Sequence, residues 1–233
     1  MPAFVLRLLR TSLAVCIASA LALAALPLQA ETIARCGQGF LEVLDGYRVL
    51  HVKGTPYEMG YQHGALLKDH IRENMHYLFD VKAKDAKLEF FGLKLNPKQL
   101  ISMIVEIQRP HIPERFLEEM RGIAAGAECE AEDVIVANFI PELFHCSGFA
   151  VMNSATKDGT LYHGRILDYS IDWKLQEHAV LIVAEPAERT AFVNVTYAGF
   201  VGSVTGMNAE HVSVGEMGGR GLGHWEGTPM AFL

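Results

Sequence analysis

No stretch of this 233-residue chain gathers basic side chains into a cluster. Its 20 Lys and Arg are scattered among 27 Asp and Glu, for a net charge of −7. That balance excludes the electrostatic footprint of a nucleic-acid-binding protein. Cysteine is sparse as well. None of the four lies in a CxxC pair or at a Cys/His ligand spacing, which argues against a structural zinc site. His63 and His70 could share a helix face, but nothing nearby completes a site, so neither metal nor cofactor is expected. Internal repeats and long linkers are also missing, which favours one domain over residues 31–233 rather than two.

What is present begins with an export signal. Arg7 and Arg10 are the only charges in residues 1–30, and TSLAVCIASALALAALPLQA runs from Thr11. A basic start, an apolar run and Pro27 before Leu28-Gln29-Ala30 read as a signal peptide cut after Ala30. Length alone leaves a retained membrane anchor open, because such an anchor needs about 20 apolar residues. The small residues and Pro27 favour cleavage, and no lipid-attachment cysteine follows the cut. The expected location is periplasmic or secreted, with no stable membrane insertion after the signal is removed. Removal takes Cys16, Arg7 and Arg10 and leaves a net charge of −9. Cys36, Cys129 and Cys146 remain, an odd number, so at least one thiol stays unpaired within the chain. A Cys36–Cys129 disulfide and two separate thiols are both open.

Residues 31–145 read as mainly helical behind a strand-like entrance. Phe40–Leu44 and Tyr47–Val52 flank Asp45-Gly46, a strong hairpin turn signal. Thr55, Pro56 and Glu58 then form the start of a helix: N-cap, first helical position and capping-box acid. Gly60 and Gly64 fall inside that helix, where close contact with another backbone explains them best. Asn96-Pro97 and Pro113 open further helices, the latter reaching Gly122, and a short one covers about Glu132 to Phe139. From Cys146 the pattern changes. Ser147–Met152, Leu161–Leu167, Ala179–Ala184, Ala191–Tyr197 and His211–Val214 read as strands, with Asp158-Gly159, Pro186-Ala187-Glu188 and Met207-Asn208 in the turns. Short strands and tight turns imply antiparallel pairing, with the helical part over one face. The last residues, Gly223 to Leu233, restart an apolar pattern without a cap and read as the beginning of a truncated element.

The chemistry centres on Cys146. It sits at the helix-to-strand transition, and Ser147 and Gly148 leave little bulk over its sulfur. Arg165 and Asp168 lie nineteen and twenty-two residues on, a span that one hairpin returns. A thiol beside a fixed cation and a carboxylate is raw material for a nucleophile. A buried inert thiol is the ordinary alternative.

These residues carry a resemblance. Gly54-Thr55-Pro56-Tyr57-Glu58-Met59-Gly60-Tyr61-Gln62-His63-Gly64, Met120 to Gly126, Cys146-Ser147-Gly148-Phe149, Gly159 to Arg165 with Asp168, and Gly206-Met207-Asn208 occur in an order shared with one family. The chain resembles the acyl-coenzyme A:6-aminopenicillanic acid acyltransferase-like autoproteolytic hydrolases. They are N-terminal nucleophile hydrolases, related to bile-salt hydrolases and acid ceramidase. The resemblance implies an α+β fold, a four-layer αββα sandwich. It also implies self-cleavage between His145 and Cys146, giving a light chain of residues 31–145 and an associated heavy chain of 146–233. The new α-amine would be the general base, since such an amine titrates near pH 8. Asp168 would orient it, and Arg165 would support the nucleophile and favour its thiolate. The substrate would be a small-molecule amide or a peptide, opened through a thioester. Asn208 is the candidate oxyanion donor, with Asn153 and Asn194 as weaker choices. Where the turn after Asn208 would show glycine, this chain has His211. Two other readings stay open: a cysteine–histidine amidase using His163 or His211, and an exported non-catalytic binding or structural protein.

Overall fold

The computed structural model describes residues 30–82, 88–90, 93–143, 146–217 and 225–232. Residues 1–29 of the expected signal and His145 of the expected cleavage bond lie outside them. Among the described residues no helix is long and apolar enough to cross a membrane.

Three strands open the fold: β1 (Glu31–Cys36), β2 (Gly39–Leu44) and β3 (Tyr47–Gly54). Asp45 and Gly46 join β2 to β3 with φ of 52° and 82°. Two consecutive left-handed residues give the turn whose twist matches the flanking strands. The strand β1 has no counterpart in the sequence reading.

Helix α1 (Pro56–Leu66) starts as its sequence dictates. Glu58 N–H donates to Thr55 Oγ1, and Thr55 N–H donates to the Glu58 carboxylate at 2.8 Å. Removing the hydroxyl with Thr55→Ala should lower stability by about 1 kcal/mol, measured by urea denaturation. Helices α2 (Lys68–His76), α3 (Pro97–Gln108), α4 (Glu114–Ala127) and α5 (Ala131–Ala137) follow. Two short strands, β4 (Leu88–Phe90) and β5 (Leu93–Leu95), pair between α2 and α3. Asn96 and Gln99 form a second capping box on α3.

The glycines in α1 meet the backbone of α4. A Cβ on Gly60 would lie 2.0 Å from the Glu119 carbonyl oxygen, and one on Gly126 would lie 2.3 Å from that of Tyr61. Gly64 and Gly122 meet the partner helix in the same way. Because Gly122 and Gly126 are contact positions, α4 runs through Gly122 to Ala127 instead of stopping there.

The second half supplies β6 (Cys146–Asn153), β7 (Gly159–Leu167), β8 (Ala179–Pro186), β9 (Phe192–Tyr197), β10 (Thr205–Asn208) and β11 (Ser213–Gly215). The large sheet has the order β1-β2-β3-β8-β9-β10-β11. The expectation of antiparallel pairing holds except at β3–β8, which run parallel with Leu50 beside Ile182. A parallel neighbour needs a long crossover, and here it comprises the helices and the β6–β7 hairpin. Met207 and Asn208 belong to β10 rather than to a turn, and the bend falls at 209–212. There His211 takes φ of 62°, the left-handed conformation that favours glycine.

Side chains alternate across the sheet. Leu50, Val52, Val180, Ile182 and Ala184 are buried, in one core with Ile71, Met120, Ile123 and Phe139 from the helical segments. The opposite face includes Val195 and Met207, 51% and 47% exposed. The β6–β7 hairpin pairs apart from the large sheet. It is laid against that second face at the β10–β11 end, where Arg165 reaches Thr205 Oγ1 at 2.6 Å and His163 Nδ1 meets Ser213 Oγ at 2.8 Å. The architecture is α+β, with one large, mostly antiparallel sheet and helices on one face.

Candidate active site

Cys146 is the first residue of β6 and pairs with Leu167, while Gly148 pairs with Arg165. Strand alternation puts Cys146, Gly148 and Arg165 on one face of the hairpin. Gly148 has no side chain, and a Cβ there would lie 2.9 Å from Met217 Sδ. Arg165 Nη2 donates to Cys146 Sγ at 2.7 Å and to Glu216 Oε2 at 3.1 Å. Its Nε donates to the Glu216 carbonyl at 2.7 Å. The guanidinium side chain is only 4% exposed and that of Glu216 is 12% exposed. The thiol in turn donates to Glu216 Oε2 at 3.5 Å.

Asp168 follows Leu167, which pairs with Cys146, and its backbone N–H pulls the thiol's pKa down. Its carboxylate accepts from Ser147 Oγ at 2.7 Å, on the hairpin's other face. The fold therefore brings Cys146, Arg165 and Asp168 together. Glu216 completes the group, seventy residues beyond the cysteine. No local spacing links it to Cys146, and its one sequence signal is a carboxylate directly after a short strand. Its Oε1 is buried with no hydrogen-bond partner among the described residues.

Arg165 does not act on the sulfur alone. Burial pushes the Cys146 thiol up, and the Glu216 carboxylate adds to the rise. Arg165 and the Asp168 N–H pull it down without overcoming burial. The thiol is thus protonated at neutral pH, and a base must take its proton before attack. Tyr169 and Tyr197 stand nearby with ring centroids 6.4 Å apart. Burial pushes the Tyr197 hydroxyl up to about 12, and Tyr169 rises for the same reason. Both remain protonated, with Leu167, Phe200 and Val204, around a narrow apolar slot.

Other expected residues lie elsewhere. Asn208 Oδ1 accepts from Glu210 N–H at 3.1 Å and Val212 N–H at 2.9 Å, closing the β10–β11 turn. Asn194 is buried and donates to the Gly202 carbonyl at 2.5 Å. Asn153 takes φ of 55° at the hairpin bend. His163 pairs with Ser213, and His211 sits in the exposed turn. Cys36, Cys129 and Cys146 are all free thiols. No group of three or more His, Cys, Asp or Glu among the described residues is arranged to hold a metal.

The segment after β9, which leads from Tyr197 to Thr205, is gripped by buried polar side chains. His63 Nε2 accepts from Gly199 N–H at 3.0 Å, Asn74 donates to the Ala198 carbonyl, and Asn138 bonds both Gly199 and Val201. Burial pushes His63 down to about 4. An unfolded histidine titrates at about 6.5, so this contribution is intact above that pH and is lost as pH falls toward 4. His70 and His178, whose Nδ1 atoms meet at 3.3 Å, are also depressed by burial and act with the same sign. Acidification from pH 7 to 4.5 should therefore remove about 2 kcal/mol through His63 alone. Urea midpoints across that range should fall for the wild type and flatten in His63→Asn.

No family model matches the chain. It is 28% identical over 214 residues to the protein dcd1A of Dictyostelium discoideum, an alignment covering 79% of this chain and 48% of that one. It is 29% identical over 176 residues to the acyl-coenzyme A:6-aminopenicillanic-acid acyltransferase of Emericella nidulans, covering 71% and 46%. Acid ceramidase of Bos taurus is 29% identical over 161 residues, covering 60% and 40%. The chain is a relative of the acyltransferase and ceramidase proteins. It spans less than half the length of the curated relatives named here. The resemblance carried by short motifs thus extends to an alignment over most of the chain.

Proposed function

We propose that this chain carries the nucleophile of an autoproteolytic cysteine amide hydrolase or acyltransferase, an N-terminal nucleophile enzyme with a four-layer αββα sandwich. The observation that carries the reading is the Cys146 sulfur, held at the start of a strand by Arg165 and Glu216, with the Asp168 carboxylate on the next residue. Relatives named as an acyltransferase and a ceramidase support the reaction class.

In the maturation step Sγ attacks the carbonyl carbon of residue 145. The peptide C–N bond to Cys146 breaks, an N-to-S acyl shift leaves a thioester, and the Cys146 nitrogen becomes an amine. Water then cleaves the thioester, releasing the 145 carboxylate and the free thiol. In turnover that amine takes the thiol proton, and sulfur attacks the substrate amide carbonyl. The leaving amine is protonated, and water or another amine resolves the acyl-enzyme. Arg165 holds the sulfur and Asp168 orients the amine. The two chains stay together because β3 of the light chain is laddered to β8 of the heavy chain. An exported enzyme acting on a small-molecule amide or peptide fits the signal-like start.

The test is N-terminal sequencing of the purified chain, then mass spectrometry after exposure to N-acyl amino acids, β-lactam amides and small peptides. A new start at Cys146 and an acyl adduct on that residue are expected. An uncut active chain, or an adduct elsewhere, defeats the reading.

A further inference from the structure

The bond between Ser147 and Asp168 does work that Cys146 and Arg165 cannot do. Ser147 points away from Arg165, because neighbouring residues of a strand face opposite sides. Its Oγ donates to Asp168 Oδ2 at 2.7 Å, while the preceding residue of β7, Leu167, pairs with Cys146. The end of β7 therefore holds both leading residues of β6, Leu167 by pairing with Cys146 and Asp168 through the Ser147 hydroxyl. The grip matters most once the strand has a free end. A strand terminus frays readily, and cleavage before Cys146 removes the covalent tether that holds it. The Ser147 hydroxyl also fixes which way the Asp168 carboxylate points.

We infer that Ser147 is a positioning residue: its hydroxyl staples the freed N-terminus of β6 and restrains the Asp168 carboxylate beside the α-amine. This rests on the function proposed above. Without the hydroxyl, the carboxylate turns to the remaining donor, the α-ammonium of Cys146. An adjacent negative charge favours the ammonium form, so the base titrates at higher pH. Fraying also misplaces the sulfur, and small displacements of a reacting group are costly to rate.

Ser147→Ala and Ser147→Thr are compared in the purified chain, in a Cys36→Ser, Cys129→Ser background. Self-cleavage should persist in both. In Ser147→Ala, kcat should fall about tenfold with KM within about twofold. The acid limb of its pH–rate profile should move upward by roughly half a unit or more. Alkylation of Cys146 by iodoacetamide should change about threefold or more as the clamp on its strand end loosens. Ser147→Thr, which keeps the hydroxyl, should restore all three. An active wild type with a Ser147→Ala variant unchanged in rate, profile and alkylation overturns the inference. A wild type that neither cuts itself nor turns over defeats the parent reading instead. The alkylation comparison then still decides whether Ser147 clamps the strand end.

Discussion

Cys146→Ala should remain a single uncut chain and lose amide turnover by roughly a thousand-fold or more. Alanine has no atom that can attack the 145 carbonyl, so neither the acyl shift nor the acyl-enzyme can form. Among the described residues, the sulfur's bonds to Arg165 and Glu216 are what the surroundings lose. Arg165→Ala would be a less clean test. It would leave Glu216 as an uncompensated buried charge and destabilise the site itself. Cys146→Ser separates the steps, since a hydroxyl makes the same shift more slowly. Intact mass and N-terminal sequencing read the outcome. A Cys146→Ala chain cut at the same bond, or turning over at the wild-type rate, would remove Cys146 from the mechanism.

Gly126→Val should be the most damaging single change outside the site, lowering stability by at least about 3 kcal/mol or preventing folding. The added carbon would meet the Tyr61 carbonyl oxygen at 2.3 Å and the Ala65 nitrogen at 2.6 Å. These are backbone atoms inside α1, which cannot turn aside as a flexible side chain would. The only relief is to move α1 off α4, which uncovers the core around Met120 and Ile123. Gly60→Ala probes the same contact from α1 with its carbon 2.0 Å from the Glu119 oxygen. Urea midpoints measure both. A near-neutral Gly126→Val would mean that the two helices are not packed backbone to backbone.

Much of this was legible in the sequence, and for identifiable reasons. The Asp45-Gly46 hairpin, the Thr55 and Asn96 caps and the Cys146–Arg165 hairpin depend on residues close in sequence or joined by one turn. The paired glycines of α1 announce a close contact without saying with what, and nothing local marks Gly122 and Gly126 as its other side. Strand β1 escaped notice because Glu31-Thr32-Ile33-Ala34-Arg35-Cys36 carries little apolar signal and is held by its ladder to β2. Asn208 is the first candidate for an oxyanion donor by residue type, and only the fold shows that its side-chain oxygen accepts from Glu210 and Val212 within its own turn.

By itself the sequence determined the capped helices, the Cys146–Arg165 hairpin and the nearness of Cys146, Arg165 and Asp168. Local hydrogen bonds and strand alternation need nothing from distant residues. Only the tertiary structure decided that β3 lies parallel to β8, that Glu216 joins the sulfur, and that Tyr169 and Tyr197 flank it. Each depends on segments brought together across many residues by burial of a shared core. The protonation of the thiol was settled there too. Arg165 alone favours the anion, but burial and Glu216 outweigh it, and desolvation exists only once the chain has closed around the sulfur.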